Sequence, residues 1–125
     1  MYKLGVRRHF QSRHYLIGGN WGDENIEHSH HYQLELVLEK ETLDPHGFLV
    51  DIVEVEYHLD EVTALFDGQT LNARADFAGS NPSIEVFAPI IHGMFRRRFK
   101  AFQLHALTIT IWEDDIAWTS YRTTL

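Results

Sequence analysis

The sequence contains no cysteine. That excludes a disulfide framework, a thiolate nucleophile and thiolate metal ligands. No apolar run approaches the roughly 20 residues that a bilayer-spanning helix needs. The N-terminus, MYKLGVRRHFQSRH, lacks the apolar centre of a secretory signal, so a cytoplasmic location is the expectation. Proline is scarce, at 3 in 125 residues, and no Pro/Gly/Ser-rich linker divides the chain. One domain spanning residues 1–125 follows. Basic residues are outnumbered: 11 Lys and Arg face 18 Asp and Glu, for a net charge of −7. Long-range attraction to nucleic acid or to an anionic membrane is therefore not expected. The one basic run, FRRRFK at 95–100, reads as a helix end favouring its own dipole. What the chain does have is a core: 44% of its residues are hydrophobic, which excludes disorder.

Residues 2–17 read as a β-strand closing on the Gly18–Gly19 turn. Residues 18–27 form a polar loop. HYQLELVLEKE alternates, with Tyr32, Leu34, Leu36 and Leu38 sharing one parity, as a half-buried strand does. Asp44, Pro45 and Gly47 mark a turn. The period then changes. Val53, Val55, Leu59, Val62, Leu65 and Phe66 recur at mostly three- and four-residue steps, which predicts a helix over 52–66 with Asp51 as its N-cap. Residues 67–82 read as a long loop. Asn81 followed by Pro82 reads as the start of a second helix, to about Arg97, with a kink or late start because of Pro89. FQLHALTITIW and IAWTSYRTTL are two more alternating strands joined by the acidic turn EDD. The order β-β-α-α-β-β predicts an α+β fold, an antiparallel sheet with two helices on one face.

The nine histidines are not evenly spread. GDENIEHSHHY, residues 22–32, places three of them among three carboxylates. His28 and His30 are spaced i, i+2 on a strand, so both imidazoles share a face and His31 points away. Such a pair suits one zinc ion, and His14 on the preceding strand is the candidate third ligand, leaving a fourth position open. Imidazole also suits iron, nickel and copper. Gly22, His28, His30 and Glu35 match a cupin spacing as well, but Glu35 has the wrong parity to join the two histidines without a bulge.

Six segments occur in an order that resembles a known family: FQSRH at 10–14, HSHHY at 28–32, GFLVDI at 47–52, LN at 71–72, NPSIE at 81–85 and WEDDIAWTSY at 112–121. The 6-pyruvoyl-tetrahydropterin synthase family, which includes 6-carboxytetrahydropterin synthase, runs F-x-A-x-H, H-G-H-N-Y, G-x-V-x-D-F, D-H-x-x-L-N, N-P-T-x-E-N and E-T with a following aromatic. The resemblance implies two helices on a four-stranded antiparallel sheet. It implies three subunits closing a barrel and two barrels stacking into a homo-hexamer, with active sites between subunits. It makes His14, His28 and His30 the zinc ligands and Glu113 the anchor of a small-molecule pterin substrate. A carboxylate can accept two parallel hydrogen bonds from such a ring. Ser83 and Glu85 fall beside the pterin pocket, and Asp51 matches a structural aspartate.

The departures fall where the family does its chemistry. A cysteine stands four residues before the first histidine of H-G-H in the family's enzymes; here that place holds Glu24. The Asp-His pair of D-H-x-x-L-N becomes Asp67 and Gly68, while Ser29 and His31 replace a glycine and an asparagine. Glu24 is then the candidate general base and Asp67 the surviving catalytic carboxylate. Some family branches use a glutamate three residues before H-G-H, where this chain has Asn25. Glu27 is the less favoured neighbour. The expected function is a zinc-dependent, pterin-binding lyase with altered catalytic groups. A pterin- or metal-binding protein without catalysis and a ligand-free structural oligomer are the alternatives.

Overall fold

A computed structural model describes all residues 1–125. Strand β1 (Tyr2–His14) pairs antiparallel with β2 (His28–Lys40). Helices α1 (Ile52–Phe66) and α2 (Ile84–Arg98) follow, then β3 (Ala106–Glu113) and β4 (Ala117–Thr124). The sheet runs β1-β2-β3-β4 and every pair is antiparallel. No helix is long and apolar enough to cross a membrane.

One parity of each inner strand is buried, and that explains why both helices lie on one face. Phe10 on β1, Tyr32, Leu34, Leu36 and Leu38 on β2, and Leu107, Ile109 and Ile111 on β3 form the sheet side of the core. Val55, Leu59, Val62 and Phe66 of α1 and Phe87, Ile91 and Phe95 of α2 form the helix side. Each fully buried Leu, Ile or Phe contributes about 1.5–3 kcal/mol over its exposed state. The aromatic members gather at one end: Phe87 meets Phe66, Phe77, Tyr32 and Phe10 with ring centroids 4.9–5.9 Å apart. Tyr32 of this cluster adjoins the histidines, its ring centroid 6.2 Å from that of His30.

Helix α1 occupies 52–66 as its periodicity predicts, and Asp51 caps it by accepting from the Val53 N–H at 2.9 Å. Helix α2 starts two residues later than expected. Its N-cap is Ser83, whose hydroxyl accepts from the Val86 N–H, because Asn81 instead accepts from the Ile17 N–H. Pro89 sits inside the helix. The last turn carries Arg96, Arg97 and Arg98, where cations favour the helix dipole. Strand β1 stops at His14, short of the Gly-Gly turn, because the N–H groups of Tyr15 and Ile17 bond to the side chains of Asn72 and Asn81. The 67–82 segment contains two single 3₁₀ turns, Leu71–Ala73 and Ala75–Phe77, and a third (Lys100–Phe102) delays β3 to Ala106. Arg7 takes Glu35 at 2.6 Å across the strands, on the face away from His28 and His30, which removes the cupin arrangement.

Candidate metal centre and ligand cleft

The antiparallel register sets His14 directly opposite His28, with Ser12 opposite His30. All three histidines lie on the core-facing side of the strands, just past Tyr32. Their ring centroids are 4.6, 4.6 and 4.7 Å apart. A single 3₁₀ turn, Gly22–Asn25, brings a fourth group in: one donor atom each from His14, Glu24, His28 and His30 lies within 4.8 Å of the others.

Each imidazole has its Nδ1 engaged. His28 Nδ1 donates to the Ile26 carbonyl at 2.6 Å, His14 Nδ1 pairs with the Tyr32 hydroxyl at 3.1 Å, and His30 Nδ1 pairs with the Asp114 carboxylate. The carbonyl on His28 and the carboxylate on His30 only accept, so they fix Nδ1–H there and leave Nε2 as the ligand atom, while the Tyr32 hydroxyl orients His14. His28 Nε2 is buried and has no hydrogen-bond partner. Glu24 Oε2 lies 2.9 Å from it, but is not aligned for a hydrogen bond. An orphaned buried polar group costs about 1–3 kcal/mol, and a cation among the three rings would relieve it. Burial, reinforced by His30 and His28, pushes the His14 pKa down to about 4. His14 is therefore neutral at pH 7, as a metal ligand must be. Burial also pushes the Tyr32 phenol up, so it stays an O–H. The donor set fits a divalent transition metal.

His14 opens on a cleft of about 280 Å³, lined also by Leu16, Glu24, Ser83, Glu85 and Glu113. Larger concavities exist elsewhere, such as a 360 Å³ groove between Leu4 and residues 47–52, but its lining is mostly apolar and holds no imidazole. Glu113 ends β3 opposite Tyr32, and its Oε1 lies 3.4 Å from His30 Nε2. Burial raises its pKa above the usual carboxylate range, His30 opposes the rise, and Asp114 and Glu24 add to it.

The sequence model of the 6-pyruvoyl tetrahydropterin synthase family matches residues 3–124. The chain belongs to this family. No curated protein matches it. Among solved structures, 6-pyruvoyltetrahydropterin synthase from Plasmodium vivax superposes with a TM-score of 0.77 at 13% identity, covering 99% of this chain and 98% of that one. The Caenorhabditis elegans enzyme gives 0.74 at 18% identity, over 98% and 96%. An uncharacterized protein from Wolinella succinogenes gives 0.74 at 10% identity, over 98% and 97%.

Within this tetrahydropterin synthase-family chain His14, Glu24, Ser83, Glu85 and Glu113 line one cleft, and His28 and His30 join it through the histidine cluster, grouped with His14 and Glu24. It does not bring in Asp67, which terminates α1 and accepts from the Gln11 N–H at 3.0 Å. Asn25 is occupied by the loop: its side chain bonds to the Trp21 N–H and to the Leu16 and Gly19 carbonyls. Glu27 turns away to Thr70 and Arg13. Two site residues escaped sequence reasoning. Tyr32 carries the right signal, lying two residues past His30 on the same face. Asp114 lies in a turn, where strand parity gives no direction.

Proposed function

We propose that this chain is a zinc-dependent lyase of the tetrahydropterin synthase type, acting on a dihydroneopterin-type substrate with altered catalytic groups. The observation that carries the reading is the meeting of three imidazoles and Glu24 beside a cleft that His14, Glu24 and Glu113 line. Zinc held by His14, His28 and His30 supplies a Lewis acid that lowers the cost of negative charge developing on proton removal. Glu113 accepts paired hydrogen bonds from the pterin ring N–H and amino group. Ser83 and Glu85 border that ring at the start of α2. Glu24, half-exposed at the cleft mouth, takes the carbon-bound proton of the substrate side chain. The Plasmodium vivax comparison supports a carboxylate in this role, since one structure of that enzyme replaces a catalytic glutamate by alanine. Asp67 serves from a neighbouring subunit, in the inter-subunit arrangement that the family resemblance implies. Gly68 supplies no relay imidazole. A missing proton-transfer group typically lowers rate by about 10²–10⁴, so turnover is expected to be slow.

A second reading has its own observation. Glu24 stands close enough to the imidazole donors to close the site as a fourth ligand. In that case the chain binds metal and pterin without turning over.

The test is direct. Purified protein is assayed for metal, then given 7,8-dihydroneopterin triphosphate or dihydroneopterin while loss of the side chain is followed. The lyase reading expects bound zinc and slow side-chain loss. Glu24→Gln is expected to abolish turnover while leaving pterin affinity intact. Unchanged turnover in that variant removes Glu24 from the mechanism, and pterin binding without side-chain loss in the parent chain selects the second reading.

A further inference from the structure

We infer that Asp114 is a positioning residue for the metal centre: its carboxylate fixes the tautomer and orientation of His30 and so presents His30 Nε2 to the cation. The inference rests on the three-histidine reading of the site and adds to it a residue from a different hairpin.

Asp114 touches two consecutive residues of β2 through three hydrogen bonds. Its backbone N–H donates to the His31 carbonyl at 2.8 Å, and its Oδ1 accepts from the His31 N–H at 2.9 Å. Its Oδ2 accepts from His30 Nδ1. The β2–β3 pairing ends at Tyr32 and Glu113. Asp114 therefore extends the clasp one step beyond the sheet, into the turn joining β3 to β4. There its φ is 52°, and that of Asp115 is 59°. Left-handed backbone is unfavourable for most L residues, and glycine enters it freely. Asp114 accepts this conformation and with it aims both carboxylate oxygens back at β2.

The three imidazoles differ in what holds their Nδ1. His28 has a backbone carbonyl and His14 a neutral hydroxyl, whereas His30 alone has a carboxylate. A charged acceptor holds the N–H more firmly than a neutral one. It also raises the basicity of the opposite nitrogen. His30 should accordingly be the strongest of the three donors, and the hairpin turn should set metal affinity although it contributes no ligand.

Zinc affinity is measured on the chelator-stripped protein by competition with a chromophoric chelator, for the parent chain, Asp114→Gly and Asp114→Asn. Glycine suits the left-handed turn, and that gain offsets the two side-chain hydrogen bonds lost to His30 and His31, so Asp114→Gly should keep a melting temperature near the parental one. Its zinc dissociation constant is nevertheless expected to rise about ten- to a hundredfold, the usual effect of losing such a partner. Asp114→Asn keeps one oxygen acceptor and should fall between the two. Long-range ¹H–¹⁵N spectra of the zinc-free protein give a readout independent of metal. His30 should be the Nδ1–H tautomer in the parent and lose that bias in Asp114→Gly. Parental zinc affinity and tautomer in Asp114→Gly overturn the inference, as does an affinity loss that appears only together with a fall in melting temperature. Failure of the parent chain itself to take up zinc would instead overturn the metal reading. The tautomer comparison still decides the role of Asp114 in that case.

Discussion

At the residue scale the candidate site separates groups that hold from groups that react. In the proposed mechanism Glu113 belongs to the first kind. It sits on the last residue of β3, where burial favours its protonated form unless a cationic or hydrogen-donating partner arrives. A pterin ring offering two donors is such a partner. Hydrogen bonds to a charged group contribute about 1.5–3 kcal/mol, so Glu113→Ala should weaken pterin binding by about ten- to a hundredfold. Fluorescence titration with a dihydropterin checks this, and undiminished affinity would take the anchor role away from Glu113. The sequence discloses this site unevenly. His28 and His30 follow from strand parity, and His14 follows once the two strands are taken as neighbours. The aim of Glu24 does not follow, because it depends on a single 3₁₀ turn that Asn25 braces through Leu16 and Gly19. Nor does the clasp made by Asp114, since the left-handed turn that creates it leaves no periodic trace in the chain.

At the element scale, legibility tracks how many residues vote for the same structure. Helix α1 is announced by four turns of apolar spacing and a capping aspartate, and its bounds agree with that reading. The start of α2 depends on two adjacent candidates, Asn81 and Ser83, and tertiary contact decides between them: Asn81 is drawn off by Ile17. The same helix carries His92, which is buried beneath β3 and β4. Its Nε2 lies 3.2 Å from the Leu107 carbonyl and 3.1 Å from the Thr123 hydroxyl, and its ring meets Tyr121 edge-on at 5.0 Å. Burial lowers its pKa below the ordinary histidine value, Arg96 lowers it further, and the Leu107 carbonyl opposes both. The sign follows. Below about pH 6.5 the unfolded chain takes up this proton before the folded one does. Stability from His92 is therefore complete above that pH and is lost as pH falls towards the folded value. Urea midpoints of the metal-free protein should decline between pH 7.5 and 5.5. They should decline less steeply in His92→Gln, even if that variant is less stable throughout. Parallel slopes would show that His92 does not carry the acid sensitivity. Buried His14 keeps some slope in both proteins, because its pKa is displaced in the same direction.

At the scale of the whole molecule residues 67–70 cover the His14 end of β1, where the Arg13 N–H donates to the Gln69 carbonyl and the Gly68 N–H to the Gln11 carbonyl, but the rest of β1 and the outer edge of β4 have no second strand neighbour. Unpaired edges of this length are normally covered or blunted, yet β4 and its turn expose Ile116, Trp118 and Tyr121. Pairing the β4 edge of one copy with the β1 edge of the next is a head-to-tail contact, which forms a closed ring if the rotation closes. That arrangement suits the cleft, which lies where β1 ends and β4 begins, with His14 and Ala117 both in its lining. It also accommodates the role proposed for Asp67, which in its own chain binds the Gln11 N–H and lies outside the histidine cluster. Light scattering should accordingly report a mass above that of the monomer, and Trp118→Lys should shift it downward while weakening pterin binding. A sharper experiment mixes two inactive variants. Glu24→Gln and Asp67→Ala subunits should each lack turnover alone. If the base and the second carboxylate come from different copies, unfolding and refolding the two together should restore part of the activity. Zero recovery from a mixture that regains the parental mass would place both groups in one subunit. Folding of Asp67→Ala is checked separately by its melting temperature, because that variant also loses the bond to the Gln11 N–H.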